Sequence, residues 1–91
     1  MDIKRVERIS KALSDPSRIK ILQSVSKKKT CLYCTEIGDI IDLAQPSISH
    51  HLKQLVDADL IISEKEGRSV KYRLNNEVID DYTKFLTDLK V

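Results

Sequence analysis

A chain of 91 residues, 33% charged and 41% apolar, has the composition of one folded soluble domain and lacks the apolar-poor character of a disordered chain. At this size folding buries only about 60–65% of the unfolded surface, a thin margin that pairing with a second copy would widen. The net charge of +2 is unevenly placed: residues 1–29 hold nine Lys/Arg and three Asp/Glu, 30–60 hold one and five, 61–75 four and two, and 76–91 two and four. For a nucleic-acid partner this placement matters more than the total.

The N-terminal segment MDIKRVERISK alternates charged and apolar residues and has no apolar centre of the kind a signal peptide needs. Its Ile3, Val6, Ile9 and Leu13 recur at helical spacing and predict an amphipathic helix over 2–14. Ser14-Asp15-Pro16 ends it and opens a second helix, with Ser14 or Asp15 to cap and Pro16 suited to the first turn. Ile19, Leu22 and Val25 share one face of that helix, with Ile21 beside them, and it runs into Lys27-Lys28-Lys29. Thr35 precedes a short third helix with Ile37, Ile40 and Ile41 inward, and Asp42 to Gln45 make a tight turn. Helix 46–59 has the clearest pattern: Ile48, Leu52, Leu55 and Val56 form one apolar stripe. Beyond Asp59 the pattern becomes an alternation that reverses at Gly67-Arg68-Ser69, with Val70, Tyr72 and Leu74 on one face of the second arm, so a β-hairpin is expected. Asn75-Asn76 caps a last helix, about 76–90, carrying Val78, Ile79, Tyr82, Phe85, Leu86 and Leu89.

The fold class read from this order is mainly α with a small β-hairpin wing, α-α-α-α-β-β-α. A short helix, a tight turn and a polar-faced helix form a helix-turn-helix, and the hairpin after it makes a winged helix, one domain spanning 1–91. No apolar run approaches the roughly eighteen residues of a membrane span, and a cytoplasmic protein is expected.

In a helix-turn-helix the N-terminal residues of the second helix reach base edges in the major groove. The stretch QPSISHHLKQL fits that task. Gln pairs with adenine, Ser serves several bases, and Ser hydroxyls at a helix start also hold phosphate. Gln45, Ser47, Ser49, His50 and Lys53 are assigned to a double-stranded DNA surface, with Arg68 at the hairpin tip and Lys65 and Lys71 beside it on backbone or minor groove. Two other readings of the histidines stand next to this one. His50 and His51 are adjacent and so diverge by about 100° on a helix, whereas a helical zinc pair uses i, i+4 spacing. A histidine on a solvated helix face also needs no special role.

Three segments together resemble bacterial ArsR/SmtB-type repressors: ISKALSDPSRIKIL their opening, QPSISHHLKQLVDADLI their recognition helix and EGRSVKYRL their wing. The resemblance covers nearly the whole chain in order and spacing. It implies a homodimeric transcriptional regulator on an inverted-repeat operator, with repression as its default action. It also implies a dimer interface on the first and last helices, here Ile3, Val6, Ile9, Val78, Tyr82, Phe85, Leu86 and Leu89. The apolar faces of those helices, larger than one small domain needs, agree. One departure is Ala44, where the family often has a serine that would cap the recognition helix.

Many relatives sense metals or metalloids, and this chain has two cysteines, Cys31 and Cys34, in a C-x-x-C pattern. Aligned through EIGDII, the thiolate-rich family wording ELCVCDL falls on Cys31 to Ile37 and puts its cysteines at Tyr33 and Thr35, out of register with those present. The family's other site uses Asp and His on the last helix, where Asp80 and Asp81 have no histidine with them. No intact family metal site is therefore read, and no cofactor is required. Three roles for Cys31 and Cys34 stay open: a reversible disulfide or soft-metal switch, buried structural thiols, or a metal or metalloid site completed by other residues. Two further function classes stay open beside the regulator. A thiol oxidoreductase would want the C-x-x-C in a βαβ context that the chain lacks. A winged-helix module that binds protein without specific DNA contact would suit the modest net charge.

Overall fold

The computed structural model describes residues 1–27, 32–33, 37 and 44–91. Helix α1 spans Ile3–Ala12 and helix α2 Pro16–Lys27, strand β1 is Leu32–Tyr33, helix α3 spans Gln45–Asp57, strands β2 and β3 are Ile61–Glu66 and Ser69–Leu74, and helix α4 spans Asn76–Asp88. The expected third helix lies outside the described residues except for Ile37, which is helical and fully buried.

Local chemistry accounts for the boundaries. The Asp2 carboxylate accepts the Arg5 N–H at 2.8 Å and starts α1. Asp15 accepts the N–H groups of Ser17 at 2.8 Å and Arg18 at 3.3 Å, and Pro16 occupies the first position of α2. Helix α3 stops two residues before the expected Asp59 because Asp59 turns left-handed, with φ 61°. The Leu60 N–H then reaches the Leu55 carbonyl at 3.1 Å and the Asp59 N–H the Val56 carbonyl at 2.9 Å, a Schellman closure. At the hairpin tip Gly67 has φ 59° and Arg68 does not share the positive φ, the pattern of a two-residue type II′ turn. The Asn75 side chain caps α4, and its N–H binds the Leu60 carbonyl at 3.0 Å, tying the start of α4 to the start of β2.

The sheet has three antiparallel strands in the order β1-β3-β2. Strand β1 was not expected: two residues are too short to show alternation, and it exists because β3 offers its other edge, pairing Tyr72 with Leu32 and Lys71 with Tyr33. The core gathers Ile9, Ile21, Val25, Ile37, Ile48, Leu52, Leu55, Leu60, Ile61 and Val78 from every layer. Helix α3 packs against α1, α2 and β2, so its apolar stripe is held on three sides.

Candidate nucleic-acid interface

Ile48, Leu52 and Leu55 of α3 are at most 1% exposed, so this face of the helix is turned into the core. The opposite side then carries Pro46, Ser47, Ser49, His50 and Lys53, all exposed as expected. Gln45 begins the helix. The N-cap is Ala44, with no side-chain cap hydrogen bond, and Pro46 in the first turn brings no N–H of its own. Among the described residues Lys53 enters no ion pair. The surface is therefore polar, cationic at its far end and uncapped at the helix start, where amide groups and the positive end of the helix dipole favour an anion.

The two histidines divide as their 100° offset requires. Their rings stand 6.0 Å apart at 53° to each other. His50 faces outward, while His51 is half-buried with its Nδ1 3.4 Å from Arg18 Nη1. Among the described residues no three His, Cys, Asp or Glu side chains gather in a way that would hold a metal ion. Cys31 and Cys34 lie outside the described residues.

Arg18 is the residue that sequence reasoning passed over. Its side chain is 12% exposed. Nε donates to the Ala12 carbonyl at 2.7 Å, Nη2 to the Lys11 carbonyl at 3.2 Å, and Nη1 to Gln54 Oε1 of α3, with Asp15 Oδ2 3.8 Å away. A signal was present: an arginine in a helix's first turn opposes the dipole, so its charge has to be answered from elsewhere. Partial desolvation pushes the Asp15 carboxyl up, but the Ser17 and Arg18 N–H groups and the charges of Arg18 and His51 outweigh it and hold it below its ordinary value.

The wing sorts its cations. Arg73 binds Glu64 at 2.8 Å and Lys71 pairs with Glu66, both diagonally across the hairpin. Lys71, expected on the DNA surface, has its charge answered within the wing by Glu66, which the register brings within reach. Lys65 and Arg68 are exposed and enter no ion pair among the described residues.

The residues expected at a dimer interface also divide. Ile9 and Val78 are 1% and 6% exposed and belong to the protomer's own core, a correction that follows from the inward face of each helix. Ile3 is 83%, Leu86 47% and Leu89 63% exposed. Val6, Tyr82 and Phe85 are half-buried, and Tyr82 Oη meets Ser10 Oγ at 2.9 Å to link α4 with α1.

Comparison with known proteins gives a consistent result. A helix-turn-helix domain family matches residues 13–64. The arsenical resistance operon repressor of Staphylococcus xylosus is 39% identical over 80 residues, covering 88% of this chain and 75% of that protein. The transcriptional repressor SdpR of Bacillus subtilis is 37% identical over 73 residues, covering 80% of this chain and 79% of that protein. A crystal structure of an ArsR-family transcriptional regulator superposes with a TM-score of 0.84 at 25% identity, over 97% of this chain and 89% of that one. The homodimeric winged helix-turn-helix DNA-binding domain of a possible ArsR-family regulator from Mycobacterium bovis superposes with a TM-score of 0.78 at 21% identity, over 93% and 78% of the two chains.

Proposed function

This chain belongs to the ArsR family of winged helix-turn-helix transcriptional regulators, and we propose that it acts as a cytoplasmic homodimeric repressor whose 91 residues form one unit on an inverted-repeat operator. The observation that carries the reading is α3: its apolar stripe is sealed in the core, and Ser47, Ser49, His50 and Lys53 are left exposed beside its uncapped start. Gln45, Ser47, Ser49 and His50 supply base-edge and phosphate contacts, Lys53 adds positive charge on the same face, and Lys65 and Arg68 contact the backbone from the wing. Ile3, Leu86 and Leu89, with the half-buried Val6, Tyr82 and Phe85, form the contact between copies. The homodimeric Mycobacterium bovis neighbour supports pairing itself.

Cys31 and Cys34 belong to the proposal as a thiol or soft-metal switch. Its support is their place in the chain: they flank β1, which pairs with β3 of the wing.

Fluorescence-anisotropy titration against DNA from upstream of the chain's own gene tests both parts, with random DNA as control, at two salt concentrations, reduced and oxidised. Specific binding, with a salt slope that falls by about one for each of Lys53→Ala and Arg68→Ala, is expected. Binding no tighter than to random DNA would sink the operator reading and favour a protein partner. Equal affinity before and after oxidation, and with or without a soft metal, would remove the switch.

A further inference from the structure

Arg18 sits where three helices meet: the end of α1, the start of α2 and the second half of α3. Resting on the operator reading above, we propose that Arg18 is the positioning residue of the DNA-reading face. It sets the rotation of α3 against the end of α1 without touching DNA.

The guanidinium is largely buried, and its partners are internal. Arg18 Nε donates to the Ala12 carbonyl at the end of α1, and Nη2 donates to the Lys11 carbonyl, which also accepts from the Ser14 N–H and hydroxyl. This also puts positive charge at the negative end of the α1 dipole. Nη1 then reaches across to Gln54 Oε1, with His51 Nδ1 3.4 Å away. One rigid planar group thus joins two helices through donors whose directions are fixed, which a flexible ammonium cannot copy.

Gln54 is the right place to hold. At ~100° per residue it lies about 40° from His50 and about 20° from Ser47 on the helix circumference. Turning α3 by about 20° would move groups at the rim of the helix, roughly 5–6 Å from its axis, by about 2 Å, more than a direct base hydrogen bond tolerates. Apolar packing of Ile48, Leu52 and Leu55 keeps the helix in the core but is not directional on that scale. Burying a charge is also a poor way to gain stability alone, since a well-packed apolar residue of similar volume often serves as well. What the guanidinium adds is direction.

The test uses the full chain with Arg18→Met, Arg18→Lys, Gln54→Ala and the Arg18→Met/Gln54→Ala double variant. Each is titrated against operator and random DNA at several salt concentrations. The expected result is a loss of about tenfold or more in operator affinity for each single variant, with no rescue by lysine. Random-DNA affinity and salt slope should stay within about twofold of the parent, and the double variant should be no worse than the worse single one. If operator and random DNA weaken together and the salt slope drops by about one, Arg18 is a phosphate ligand and the inference is overturned. An unchanged operator-to-random ratio with only a lower Tm overturns it too, leaving a structural role. Should Arg18→Met not fold, Gln54→Ala carries the same comparison from the half-exposed side of the clamp. A parent protein with no operator preference would instead sink the function proposed above, and this inference with it.

Discussion

Helix α3 and the two terminal helices are both amphipathic, yet the structure treats them in opposite ways. Ile48, Leu52 and Leu55 of α3 are sealed within the protomer, while Ile3 of α1 and Leu86 and Leu89 at the end of α4 stay open. An apolar cleft of about 310 Å³ also remains between α2 and α4, lined by Leu22, Leu60, Leu74, Ile79 and Tyr82. The molecule measures 45 × 23 × 22 Å, elongated for its length, with a Cα radius of gyration of 13.5 Å where about 12 Å is usual for a chain of this size. The apolar face of α3 is buried within one copy, whereas the terminal helices still have apolar surface exposed. The proposed DNA-reading surface and the proposed pairing surface thus lie on separate parts of the chain, joined by the core and by Arg18.

The largest effect expected from breaking this contrast is at Leu52. Leu52→Ala leaves a cavity on the core side of α3 and should cost roughly 2–5 kcal/mol. The whole domain holds about 5–14 kcal/mol on general grounds, so urea denaturation should show a large part of the stability gone, roughly a seventh at the least. Leu89→Ala should move the same measurement by no more than about 0.5 kcal/mol when the protein is dilute enough to be monomeric.

Next in size is the Leu86→Asp/Leu89→Asp variant, which places charge on the proposed pairing surface and leaves the core intact. Sedimentation should show a dimer becoming a monomer. Affinity for the full inverted repeat should fall by about 10² or more as the second half-site contact is lost, while affinity for an isolated half-site holds. A monomeric parent protein, or an undiminished dimer in the variant, would place the interface elsewhere.

The contrast also explains what the sequence could convey. Helix α3 was legible because its period and its burial coincide: of the stripe Ile48, Leu52, Leu55 and Val56, the first three are buried and Val56 is half-buried against the core. The wing was legible through Gly67 and the alternation of β3. On the terminal helices periodicity marked apolar positions but not which partner covers them, so Ile9 and Val78, claimed by the protomer's own core, could not be told from Leu86 and Leu89. The pairing of Lys71 with Glu66 was hidden for a related reason, since it depends on hairpin register. Strand β1 and Arg18 were missed because each is defined by a distant partner: β1 by the free edge of β3, Arg18 by Gln54, 36 positions away.

A smaller effect is expected at Asp59, where α3 hands over to the wing with φ 61°. Glycine adopts this conformation without the Cβ penalty but loses more chain entropy on folding, so the two terms partly cancel. Asp59→Gly should raise stability by roughly 0.5 kcal/mol, about 2–4 °C in Tm. Operator affinity should not change, because the Schellman hydrogen bonds from Leu60 and Asp59 are backbone bonds that glycine keeps. A fall in stability would show that the Asp59 side chain contributes more than its backbone strain costs.

The subtlest expectation is a pH dependence at Asp15. Desolvation raises its pKa, but the N–H groups of Ser17 and Arg18 and the charges of Arg18 and His51 lower it further, so the folded value lies below the unfolded one. A carboxylate of this kind stabilises the fold fully above its unfolded pKa, and the contribution disappears as the pH falls through the folded pKa. Denaturation profiles should therefore show Asp15→Asn less stable than the parent at neutral pH, with the gap closing in the acid range below the ordinary carboxylate value. Asparagine still caps a helix, so the loss isolates the charge from the cap. Glu7 is also lowered, by its hydrogen bond and charge contact with Lys11, but that pair is exposed and added salt screens it. Repeating the profiles in Glu7→Gln and at high salt separates the two groups. A gap between parent and Asp15→Asn that persists unchanged into acid would mean that the contribution at Asp15 is not electrostatic.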